Sequence, residues 1–176
     1  MILFRHCDRR FPFLWEAASQ PAARWHADGE GPAQYLADTP VGAWAEFLRH
    51  EGIADEADLA GVERALWAVD VAVDAIAFAI PALPPSAATG GLASYPRCQA
   101  EARRLRARGV QAVRARSAAL LPGGGGGWRV DGGEKDAEAR DGEVFVVFGR
   151  RPDFVGWPVV EAGRPPTRVL PRVRKL

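Results

Sequence analysis

From Thr39 to His50 the apolar residues Val41, Trp44, Ala45 and Leu48 recur at i, i+3, i+4 and i+7, the spacing of a buried helical face. Thr39 supplies an N-cap and Pro40 a first-turn residue with its φ already fixed, so a helix is predicted over 40–50. Ala43 and Phe47 widen the apolar side. They leave a narrow polar arc of Gly42, Glu46, Arg49 and His50, which faces either a strip of solvent or a cleft. A second helix is predicted over 95–108, capped by Ser94, with Cys98, Ala102 and Leu105 inward, five arginines outward and Gly109 as its stop.

Alternation replaces the helical period elsewhere. Trp67, Val69, Val71 and Val73 alternate with Ala68, Asp70, Ala72 and Asp74, as in a half-buried strand. Ile76, Phe78 and Ile80 continue on the opposite parity, which predicts a bulge or break near Asp74-Ala75. Further strands are predicted at 2–5, 32–38, 110–114 and 144–148, with a short acidic connector or helix at 54–63 and a loop from Pro81 to Gly91. The glycine run Gly123 to Gly127 and the charged stretch 131–143 read as a flexible insertion spanning about 122–143. The whole describes one α+β domain over 1–162, mixed α/β around a central β-sheet, followed by a Pro/Arg-rich tail at 163–176 that packs partly as extended chain.

A chain of 176 residues suffices for one domain with a real core. Its net charge of +1 provides no long-range field for nucleic acid or membrane. Arginine outnumbers lysine 21 to 2, which a GC-rich coding background explains for most of those positions. Two cysteines, Cys7 and Cys98, argue against a disulfide framework and for a reducing compartment. The longest apolar stretch, 65–83, is interrupted by Asp70 and Asp74, so no membrane span is expected and a cytoplasmic location is.

Several motifs can be set aside. The glycine run is followed by Trp128-Arg129-Val130, not by the Gly-Lys-Ser/Thr of a phosphate loop. His6, His26 and His50 have no metal-ligand spacing with the cysteines, so no metal is expected. A Gly-x-Ser-x-Gly elbow is absent from the sequence. The basic cluster Arg164, Arg168, Arg172, Arg174 and Lys175 lacks interleaved aromatics, so direct nucleic-acid binding is not expected.

What remains is Arg24-Trp25-His26, a Gly-rich turn, Tyr35-Leu36-Ala37, Ala43-x-x-Glu46 and, far downstream, Ser117-Ala118. In order and spacing, from about residue 4 to 148, these resemble the RES-domain family, named for its Arg, Glu and Ser. The resemblance implies an ADP-ribosyltransferase-like fold and consumption of NAD⁺ as a substrate, by hydrolysis, phosphorolysis or ADP-ribosyl transfer. Family members look like toxins of toxin–antitoxin pairs, which implies a helix-turn-helix antitoxin as partner; a homodimer is a further expectation.

Cleaving the nicotinamide–ribose bond builds positive charge on the ribose, which a carboxylate can stabilise. Glu46 is the candidate for that role. Arg24 can fork onto the pyrophosphate in a geometry lysine does not reproduce. Tyr35 offers a ring for nicotinamide and a hydroxyl for phosphate or ribose. Ser117, one of four serines, can hydrogen-bond the nicotinamide amide or a phosphate. Arg5 and His26 are secondary candidates for binding. Taken singly, Glu46 reads as a solvated helix residue, Arg24 as a surface ion pair and Tyr35 as strand packing. His26 stands where the family usually carries asparagine and Arg116 where proline is common. The alternative is therefore a catalytically decayed nucleotide- or partner-binding module.

Overall fold

A computed structural model describes residues 1–72 and 75–176, so the break expected at Asp74 lies outside the described residues. Among the described residues there are nine strands: β1 Ile2–Cys7, β2 Ala33–Ala37, β3 Arg64–Asp70, β4 Phe78–Ala79, β5 Ala112–Arg116, β6 Trp128–Val130, β7 Glu134–Asp136, β8 Glu143–Phe148 and β9 Val155–Gly163. The α-helices are α1 Pro40–His50, a single turn α2 Pro85–Ala88, and α3 Tyr95–Arg106. Seven strands form one mixed sheet in the order β4-β5-β8-β2-β1-β3-β9, in which only β4 and β5 run parallel. The fold is α+β, and β6 pairs with β7 in a separate hairpin.

Strand register shows where the helices lie. Phe4 pairs with Ala37, Ala37 with Val144 and Tyr35 with Val146, so these side chains share one face of the sheet. Phe4 and Ala37 pack with Val41, Trp44 and Leu48 of α1, while Tyr35, Val144 and Val146 pack with Cys98, Ala102 and Leu105 of α3. Both long helices therefore cover the same face, side by side. The opposite face carries Leu3, Leu36, Phe145 and Val147, covered by Phe13, Leu14, Ile76 and Phe154.

The start of α1 forms as expected: Thr39 Oγ1 accepts from Gly42 N at 3.0 Å. Gly42 suits the close approach of the helix to β2, because a Cβ there would lie 3.1 Å from the Ala37 Cβ, a tight contact. Ser94 does not cap α3. It has helical geometry (φ −86°, ψ −13°), closes a 3-10 turn over Leu92–Ser94 and donates its hydroxyl to Gly91 O at 2.7 Å.

The glycine-rich stretch is packed instead of behaving as a solvated linker. Gly124, Gly125 and Gly126 are buried, and a Cβ on Gly125 would meet Gly142 N at 2.6 Å. The start of the charged run beyond it supplies β7, which pairs with β6 in a hairpin; Trp128 of β6 has the guanidinium carbons of Arg168 and Arg172 at 3.7 and 4.5 Å from its ring centroid. The C-terminal tail is likewise integral: Thr167–Arg172 is a 3-10 helix with Val169 buried against the α1 cluster.

Candidate active site

Glu46 projects from α1 and Ser117 follows the last residue of β5. The Ser117 hydroxyl donates to Glu46 Oε1 at 2.9 Å and accepts from Ala119 N at 3.2 Å and Leu120 N at 3.3 Å. The serine thus fixes the turn after β5 and aims its proton at the carboxylate. Burial raises the Glu46 carboxyl above its ordinary range; the Ser117 hydrogen bond and the Arg49 and Arg24 charges oppose that rise.

Arg24 is buried in a tight turn closed by mutual bonds between Ala23 and His26 (Ala23 N to His26 O, 3.0 Å; His26 N to Ala23 O, 3.3 Å). From α3, Gln99 Nε2 donates to Ala23 O at 2.9 Å and fastens that turn to the helix. The guanidinium lies 4.7 Å over the Tyr95 ring and donates to Ser94 Oγ at 2.8 Å and Gly90 O at 2.6 Å. Tyr35, on β2 between the helices, places its hydroxyl 2.9 Å from Trp25 N, from which it accepts, and 3.0 Å from His26 Nδ1. Its polar atom therefore holds the Arg24 turn. Burial pushes the phenol further above its usual range, so it stays neutral. His26 is fully buried, and burial lowers its pKa, favouring the neutral ring.

Arg24, Tyr35, His26, Glu46 and Ser117 thus converge on the side of the sheet that carries the helices. Arg5 does not join them. One step of strand alternation puts it on the face of Leu3, where its fork reaches Gln34 Oε1 at 3.5 Å and Tyr35 O at 3.4 Å. Its placement braces β2. Burial lowers its pKa to about 10, which still leaves it charged at neutral pH.

Two contributors lay hidden in the sequence. Arg49, one turn after Glu46, is buried and donates to Ala118 O at 2.5 Å and Gly90 O at 3.0 Å. Its position on the polar arc of α1 was the available signal. The second is the segment carrying Gly90 and Ser94, which meets both arginines. Of the six candidate site residues Arg5, Arg24, His26, Tyr35, Glu46 and Ser117, Ser117 alone lines the adjoining cavity of about 300 Å³, alongside Pro85, Ser86, Thr89, Arg116 and Arg174. Among the described residues no group of three or more His, Cys, Asp and Glu is placed to hold a metal ion, and no helix is long and apolar enough to cross a membrane.

A family model described as RES domain matches residues 2–168. No curated protein matches the chain.

Proposed function

The chain belongs to the RES-domain family, and from that premise we propose that it binds NAD⁺ and cleaves the nicotinamide–ribose bond. The observation that carries this reading is the Ser117–Glu46 pair at 2.9 Å, on the same face as buried Arg24. Glu46 stabilises the oxocarbenium-like ribose as nicotinamide departs, and a preorganised group of this kind is worth roughly 10²–10³ in rate. Ser117 orients the carboxylate and favours its charged form. Arg24 holds the pyrophosphate, and the Tyr35 ring and hydroxyl keep the Arg24 turn in place. The acceptor is water, phosphate or a protein side chain. The family resemblance supports a toxin role in which a helix-turn-helix antitoxin blocks the site.

The test is release of nicotinamide from NAD⁺ by the purified chain, assayed with and without phosphate and protein acceptors. Release that Arg24→Ala or Glu46→Ala removes supports the reading. A second reading, nucleotide binding without turnover, is favoured by the engagement of Arg24 with Gly90 and Ser94. It predicts thermal stabilisation by NAD⁺ with no nicotinamide produced.

A further inference from the structure

Arg24 and Arg49 approach Gly90 from different elements and donate to the same carbonyl oxygen, at 2.6 and 3.0 Å. Both are buried, and among the described residues neither has a carboxylate within salt-bridge distance. Two desolvated cations beside one neutral oxygen repel each other, and the partial charge of a carbonyl offsets that only in part. Burial first and the Arg24 charge second lower the Arg49 pKa, and the nearby Glu46 charge opposes them without reversing the direction. A diphosphate would present a charged group to each fork.

Gly90 belongs to a strap, residues 84–94, laced to these arginines. Ser94 Oγ accepts from Arg24, and a Cβ on Gly90 would meet Ser86 O at 2.7 Å, so the carbonyl reaches the arginines only because residue 90 is glycine. Pro85, Ser86 and Thr89 of the same strap wall the cavity that Ser117 lines, while Arg24, Tyr35 and Glu46 are not part of that lining.

We propose that Arg24 and Arg49 together form a two-guanidinium seat for a diphosphate, held in this structure by the Gly90 carbonyl, and that a dinucleotide gains access by displacing the strap. The identity of the dinucleotide as NAD⁺ rests on the function proposed above; the seat does not. Arg49 becomes a substrate ligand that also positions Ser117 through the Ala118 carbonyl.

Calorimetric titration of the full chain with inorganic pyrophosphate and with orthophosphate tests the seat, combined with amide exchange over 84–94. Pyrophosphate is expected to bind more tightly than orthophosphate and to speed exchange in the strap. Arg49→Lys, which keeps the charge but loses the fork, should weaken pyrophosphate binding about 10–100-fold. It should also raise KM for NAD⁺ more than it lowers kcat, and narrow the preference for NAD⁺ over nicotinamide mononucleotide, which carries one phosphate. A clamp acting only on Ala118 would not move that preference. Unchanged pyrophosphate affinity in Arg49→Lys overturns the proposal. So does pyrophosphate binding to the wild-type chain with no change in strap exchange, a measurement that needs no variant to fold. If pyrophosphate binds as described while NAD⁺ stays intact, the seat stands and the cleavage reading falls; nicotinamide release indifferent to Arg49 gives the reverse.

Discussion

Glu46 sits where burial opposes its charge and Ser117, Arg49 and Arg24 favour it, with burial the larger effect. A carboxyl whose folded pKa is raised contributes stability that is fully present below its unfolded pKa and lost as pH rises through the folded value. The ionised form is therefore held at a cost at neutral pH. Glu46→Gln keeps the acceptor for Ser117 and removes the charge that burial opposes, so it should raise Tm at pH 7 while losing activity. A melt no higher than wild type would contradict that cost. Ser117→Ala removes a bond that favours the carboxylate, so the acid limb of the pH–rate profile should move to higher pH. An unmoved limb would mean that another group titrates. Arg24, Tyr35, Glu46 and Ser117 were legible because their residue types, order and local settings survive in one dimension. Arg49 and Ser94 were not, since their key bonds span 41 and 70 residues. Arg5 misled because a single step of alternation decides which face a strand residue serves.

The glycine run shows how an element can be hidden by its composition. Gly125 lies against Gly142, and Gly126 would place a Cβ 2.8 Å from Glu138 O, whereas Gly127 has nothing within 4 Å. Gly125→Ala should therefore cost about 1–3 kcal/mol, and Gly127→Ala should be neutral or slightly stabilising. Equal melting temperatures for the two variants would restore the linker reading. Helices α1 and α3 and strand β8 were readable because periodicity is local. Strand β9 escaped notice: it lies at the sheet edge, contains Gly156 and Pro158, and the apolar residues that alternate with them, Val155, Trp157 and Val159, are about half exposed and mark no buried face. Strand β7 of the β6–β7 hairpin is Glu134-Lys135-Asp136, charged residues with weak strand preference. Its ion pairs to the tail, Arg168 with Glu134 and Arg172 with Asp136, have no local signature.

The tail ties these parts to the site. Leu121 N donates to Arg172 O at 2.9 Å and Arg174 N to Ala119 O at 2.7 Å, so the tail is bonded to the turn that Ser117 organises. Removing residues 164–176 takes buried Val169 from the α1 cluster. A loss of roughly 2 kcal/mol follows, lowering Tm by ~4–8 °C, and nicotinamide release should fall with it. A truncated chain as stable and active as the full one would make the tail dispensable. The fold as a whole sets two helices side by side on one face of a sheet and brings an arginine turn, a helix carboxylate and a strand-end serine between them. The most direct test of the claim that this arrangement cleaves NAD⁺ is nicotinamide release by the wild-type chain beside Glu46→Ala. The account predicts turnover in the wild type and a rate roughly 10²–10³ lower in the variant. Intact NAD⁺ with the wild type under every acceptor condition, or a variant as fast as wild type, would contradict it.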